Sequence, residues 1–472
     1  VSGPTQERRA GMSMPVLAGM VIGSMVGAGV FSLPSSFAGS AGGLGALLAW
    51  GVAGGGMLML ALVFQRLAIR RPDLDSGIVA YAKAGFGPYV GFFSAFGYWA
   101  AACIANVTYW VLIASTLGAV VPAFGDGSTW AAFALGTVGL WAFHLVVARG
   151  VTQAAALNAI TAVAKFVSLL LFVVLLIFGG FSWDTFTGNL AGDDALGGLG
   201  DQVRATMLVT VFVFLGVEGA SVYSRYARRR EDVGRATVTG FLTVLALFVA
   251  VTMLSFGVLP RAELAALDQP SAAGVLEAAV GPWGAWLIGI GLLISVLGAY
   301  LAWTLLATEV LHEAALQDDA PRLLRRTNGR GVPIAALTAT SLVTWLFLVL
   351  TQLSENAFDF SLELTSALAI IPYLLTAGFG VRAALSRDHR APAAIVVAAI
   401  ALAYTFFLVY AMGPAYALLA LIIYAPATLL YAWARREQGL RVFSRREAVL
   451  CALSVAGAVA AVVALATGAV SL

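Results

Sequence analysis

The chain has 472 residues, of which 61% are hydrophobic and only 11% charged, with a net charge of +3. A soluble domain carries about 25% charged residues, so an ordinary water-facing surface is excluded and a polytopic protein in contact with a lipid bilayer is expected. Cys103 and Cys451 lie in apolar runs and imply no disulfide framework, three histidines make no rich metal site, and no cofactor is expected.

In chain order, residues 1–13 form a short segment with Arg8 and Arg9, read as cytoplasmic, and no cleavage signature of a removable signal follows them. About 20 apolar residues cross a hydrocarbon core. That criterion places spans at 14–38, 42–64, 89–121, 130–148, 155–180, 204–224, 236–259, 282–312, 333–352, 360–383, 391–411, 414–434 and 447–470, thirteen in all. The long runs 89–121 and 282–312 read as tilted helices that extend past the membrane.

Alternation from a cytoplasmic N-terminus puts 24 of the 27 Lys and Arg residues inside, as the positive-inside rule requires. The outer loops then carry acids, among them Asp193, Asp194, Asp201, Glu355 and Asp359. The C-terminus falls outside the cytoplasm, and the cell membrane is the expected location. The basic stretch Ser224–Arg235 reads as a cytoplasmic anchor near anionic headgroups, with no nucleic-acid partner expected.

Two spans carry their weakest point in the middle. The first holds Gly27-Ala28-Gly29 with Pro34 beyond, and the sixth holds Gly216-Val217-Glu218-Gly219. Glycine costs about 1 kcal/mol in a helix interior relative to alanine. Spans one and six are five apart and so run in opposite directions. The segments 14–180 and 204–383 can therefore form an inverted repeat, with 391–472 peripheral. Interrupted helices at corresponding positions of inverted repeats point to a transport site. Breaking a helix in lipid frees amides and carbonyls that cost several kcal/mol each if left unpaired. Freed amides suit a carboxylate and freed carbonyls an ammonium, which are the two ends of an α-amino acid. Close helix packing through small residues is the other reading of these glycines.

The stretches "GSMVGAGVFSLP", "FLGVEGASV", "AYLAWTLLATEVL" and "IIPYLLTAG" resemble the amino acid–polyamine–organocation (APC) transporters, in their basic amino acid antiporter branch. "YAKAGFGPYVGFFSAFGYW" and "RREDVGRATVTGF" are most similar to the arginine/ornithine antiporters. The resemblance implies an all-α integral membrane protein of LeuT-type 5+5 inverted-repeat fold, with discontinuous helices 1 and 6 and further peripheral spans. It also implies exchange of small-molecule amino acids by alternating access, and relatives of this branch often form homodimers. Proton-coupled symport and exchange of an amino acid for its decarboxylation product (histidine/histamine, lysine/cadaverine) remain alternatives. A channel would want rings of charge or a carbonyl filter. An intramembrane enzyme would want a motif such as H-E-x-x-H, which "HEAAL" lacks.

Glu218, inside a span, reads as a proton-linked switch or a sensor of a cationic substrate, with a neutral hydrogen-bonding group as the structural alternative. The resemblance assigns it to coupling. Lys165 stands about ten residues inside the fifth span, too deep to snorkel easily, and the resemblance makes it a brace for the unwound first helix. Asn106 matches a substrate-binding asparagine, although an interhelical hydrogen bond explains it nearly as well. Trp303 matches a substrate-facing tryptophan that can hold a cation on its face. Phe212 matches a gating aromatic. Ser24 and Ala28 match positions that touch the substrate's α-amino and carboxylate groups, with Ala28 standing where relatives carry a serine hydroxyl. Gly27, Gly29 and Gly216 are expected to supply exposed backbone, and in the pocket that the resemblance implies Leu215 would supply an apolar wall and Thr365 a hydroxyl. Glu363 reads as an attractor of cations or a hydrated acid near an outer helix end, and Glu309 as solvated.

Overall fold

The computed structural model describes residues 13–71, 73–74, 77–150, 154–218, 230–354, 356–386 and 391–467, and every regular element among them is a helix. The bilayer core offers no hydrogen-bond partners, so apolar spans satisfy their backbone within themselves. Ten helices among the described residues are long and apolar enough to cross a membrane.

The expected first span does not fold as one helix. Helix α1, Met14–Met25, stops before the glycines. A 3-10 turn follows at Gly29–Phe31, and α2, Leu33–Ser40, starts afresh. Pro34 favours a helix start here: it has no N–H, and in a helix running through it the ring would crowd the Val30 carbonyl one turn back. In the first turn of α2 the same proline is harmless.

The helices that follow are α3, Gly43–Arg70; α4, Ile78–Phe86; α5, Pro88–Gly118; α6, Trp130–Ala148; and α7, Ala154–Gly179. Then come α8, Leu199–Phe214; α9, Arg230–Ser255; α10, Ser271–Val280; and α11, Pro282–Leu316. The chain closes with α12, Ile334–Leu350; α13, Ala357–Ala384; α14, Pro392–Ala411; α15, Gly413–Glu437; and α16, Arg445–Ala466. The long runs are single helices of 31 residues (α5) and 35 residues (α11).

Helix α3 continues beyond residue 64 to Arg70, and α9 begins at Arg230, ahead of residue 236. Hydropathy marks where lipid ends, whereas a helix runs on through good helix formers into the interface. The short helices α4 and α10 were not expected, because 9 and 10 residues are too few to cross. Helix α8 ends at Phe214. The remainder of the expected sixth span after Glu218, most of the Ser224–Arg235 loop and the N-terminal segment up to residue 12 lie outside the described residues.

The core forms around α5 and α13. The apolar centre of α5 is 89% buried and that of α13 72%, against 11% for the peripheral α16. Helix α13 packs on α5, α14, α4 and α8, while α1 lies on α9 and α11 on α7. Many buried hydroxyls in this interior return their hydrogen bonds to their own helix, as Thr252 does to Phe248 (2.9 Å) and Ser255 to Val251 (2.7 Å).

Candidate functional site

The two weak points meet. Leu215 leaves helical geometry after α8, and Gly216 follows at φ +103°, a left-handed conformation that favours glycine. A Cβ on Gly216 would run into the Ser24 carbonyl oxygen at the end of α1. A Cβ on Gly29 would lie 2.7 Å from the Phe212 ring. The glycines thus let one break press against the other. The Ser24 hydroxyl joins them, shared between the carbonyls of Val21 (2.8 Å) and Gly216 (3.0 Å).

A small cavity of about 10 Å³ sits at this meeting point, lined by Ser24, Met25, Gly27, Ala28, Gly29, Tyr109, Phe212, Val213, Leu215 and Trp303. Its volume matches about one water molecule. An amino acid enters only if side chains or helices move. Among the described residues, the amides of Gly27, Ala28 and Gly29 have no hydrogen-bond acceptor. They are free donors at the start of the 3-10 turn that leads into α2, and free amides suit a carboxylate. Ala28 brings no hydroxyl, so backbone is what it offers. Phe212 and Trp303, 6% and 8% exposed, form the aromatic wall of the cavity.

Behind the wall, Glu218 is buried and held on several sides. Its carboxylate accepts the Gly216 amide at 3.2 Å, the Tyr373 hydroxyl at 2.7 Å and the Tyr98 hydroxyl. It therefore links the break after α8 to both central helices, α13 and α5. The ring of Tyr98 is 6.4 Å from that of Trp303, so the carboxylate network touches the cavity wall through one residue.

Lys165 on α7 donates to the carbonyls of Gly23 (2.8 Å) and Val26 (2.6 Å), the orphan acceptors left where α1 stops. Among the described residues no carboxylate forms an ion pair with it. Its ammonium serves helix-end carbonyls.

Of the residues singled out in the sequence, Ser24, Gly27, Ala28, Gly29, Phe212, Leu215 and Trp303 come together around the cavity. Gly216, Glu218 and Lys165 buttress it. Asn106 is buried and is not among the lining residues, donating to Thr304 at 3.2 Å with its carbonyl oxygen unpartnered among the described residues. Thr365 is fully buried, and its hydroxyl returns to the Ser361 carbonyl of its own helix (2.8 Å). Glu309 is exposed and Glu363 half-buried.

Three tyrosines were missed. Tyr109 lines the cavity, and Tyr98 and Tyr373 clamp Glu218. A signal existed: Tyr98 and Tyr109 are 11 residues apart, about three helical turns, on one face of a span with Asn106.

The chain matches the amino acid permease family over residues 13–433. It is 45% identical to an arginine/ornithine antiporter of Pseudomonas aeruginosa, across 97% of this chain and 98% of that protein. It is 42% identical to an L-lysine transport protein of Corynebacterium glutamicum, across 98% and 96%. It is 35% identical to an arginine/agmatine antiporter of Chlamydia pneumoniae, across 92% of each. With a family match over most of its length and relatives this similar from end to end, the chain belongs to the amino acid permease family.

Proposed function

We propose that this protein is an arginine/ornithine-type antiporter, a secondary active transporter that exchanges cationic amino acids across the cell membrane by alternating access. The observation that carries the mechanism is the cavity where the break of α1–α2 meets the end of α8. Backbone donors at Gly27, Ala28 and Gly29 take the carboxylate. Trp303, Tyr109 and Phe212 supply aromatic faces against which a guanidinium or ammonium can rest. Phe212 and Trp303 swing aside to admit substrate and close over it.

In this reading α1–α7 and α8–α13 are the two halves of a 5+5 inverted repeat, α14–α16 are peripheral, and thirteen spans run from a cytoplasmic N-terminus. Lys165 does permanently what a bound cation would do, since it satisfies the freed carbonyls of α1. Glu218 couples occupancy to movement: its charge, or the proton that replaces it, decides how firmly Tyr98, Tyr373 and Gly216 hold the end of α8. An empty site leaves backbone donors unpaired in a membrane, so the carrier reorients readily only when loaded. Exchange follows from that cost.

The test is counterflow in proteoliposomes loaded with arginine, ornithine, lysine, histidine or a neutral amino acid. Arginine uptake should be fast into vesicles containing arginine or ornithine and slow into empty ones. Equal rates into empty vesicles would remove the obligate-exchange claim. The likeness to an L-lysine transport protein favours lysine as a second cargo, and lysine-loaded vesicles test it in the same assay.

A further inference from the structure

A second cavity, of about 260 Å³, opens between the ends of α3, α4, α13 and α14, and it shares no lining residue with the first. Four arginines line it, Arg66, Arg70 and Arg71 from the end of α3 and Arg382 from the end of α13. Below them the wall is apolar, with Val63, Leu67, Phe379 and Ala398.

Among the described residues, the only carboxylate ion-paired with these arginines is that of Asp73, 2.6 Å from Arg71. Among the described residues, four positive charges and one negative leave three in excess. Arg66 donates to the Ala393 carbonyl (3.3 Å) and Arg382 to the Gly85 carbonyl, contacts that orient a guanidinium without neutralising it. The ring of Phe379 lies 5.9 Å from Arg71. Arg66 and Arg70 are one turn apart on the same helix, where like charges repel. The negative ends of α3 and α13 account for a cation at each tip. They do not account for a cavity with a cationic rim and an apolar floor.

We propose that this cavity binds a phosphate-bearing anion, and that in the membrane its occupant is the headgroup of an anionic phospholipid in the cytoplasmic leaflet. Guanidinium forks match phosphate oxygens in pairs. The apolar floor suits the glycerol and the first carbons of an acyl chain. The positive-inside rule places this end of the bundle at the leaflet where anionic lipids attract such pockets. Under the cationic-substrate reading, a rim of arginines repels cargo, so the cavity is no vestibule for it.

The full chain, purified in detergent, is offered phosphatidylglycerol or phosphatidylcholine and analysed by native mass spectrometry, with thermal shift in inorganic phosphate as a separate arm. Phosphatidylglycerol adducts should be retained about fivefold over phosphatidylcholine and fall several-fold in Arg66→Gln/Arg70→Gln. Asp73→Asn, at an exposed carboxylate beyond the end of α3, should raise retention by freeing Arg71. Stabilisation by phosphate that needs Arg66 and Arg70, without lipid retention, would keep the anion site and overturn its lipid occupant. Equal retention of the two lipids with no phosphate effect would overturn the site altogether, as would retention indifferent to both variants. None of these readouts depends on transport, so failure here leaves the exchange reading standing, and the reverse.

Discussion

Lys165 reaches from α7 to the Val26 carbonyl at 2.6 Å, and so ties a helix of the bundle to the point where α1 stops. The same ammonium holds Gly23 at 2.8 Å. Each hydrogen bond to a charged group is worth about 1.5–3 kcal/mol. Lys165→Ala leaves two carbonyls without a partner in the membrane interior. Exchange in proteoliposomes should fall about tenfold or more, since 1.4 kcal/mol is a factor of ten, while the purified protein unfolds at a lower temperature. A variant that transports at the parent rate would make the lysine dispensable.

Glu218→Gln keeps the side chain's size and its contact with the Gly216 amide but removes the charge and one acceptor oxygen. The dependence of exchange on pH should flatten, and the rate should drop by about an order of magnitude, the scale of one charged hydrogen bond. Tyr373→Phe removes a 2.7 Å partner and should alter the pH profile in the same direction without abolishing transport. Profiles identical to the parent in both variants would reduce the cluster to packing.

Gly216→Ala asks alanine to adopt φ +103° against the Ser24 carbonyl. Left-handed strain alone costs on the order of 1–3 kcal/mol, and the clash adds to it, so the two breaks must separate. Transport should be lost and thermal stability reduced. Gly55→Ala is the control, because nothing lies within 4 Å of a Cβ there. Measured side by side, it should be neutral or stabilise by up to about 1 kcal/mol.

Trp303→Leu preserves an apolar wall but removes the π face. Cation–π contacts are worth about 0.5–2 kcal/mol depending on desolvation. The KM for arginine should rise about two- to thirtyfold by that range, with a smaller change for any neutral amino acid that is carried. An equal rise for charged and neutral substrates would assign Trp303 to shape alone.

Much of the architecture was legible from local chemistry. Pro34 suits the first turn of a helix, so a restart at Leu33 agrees with residue type, although Pro372 and Pro426 lie inside continuous helices. Gly27-Ala28-Gly29 is where the first span yields. Lys165 was singled out for its depth in an apolar span, and its partners are helix-end carbonyls. Thr365 shows the limit: a hydroxyl in a span reads the same whether it faces a cavity or, as here, bonds back to its own helix. Asn106 likewise hydrogen-bonds Thr304 and is not among the residues that line the cavity. Tyr98, Tyr109 and Tyr373 were overlooked because tyrosine is common in membrane helices and gains a function only from what its hydroxyl meets.

By itself the sequence determined that this chain lives in a bilayer, which stretches cross it, and which charged groups are too costly to bury without a purpose. Those properties depend on residues near one another along the chain, through transfer free energy and backbone sterics. Only the tertiary structure decided that Gly216 lies on Ser24, that Glu218 is clamped by tyrosines from two central helices, and that four arginines close on one cavity. Such contacts join residues up to hundreds of positions apart. They are set by how helix faces pack, and no local period in the sequence encodes that.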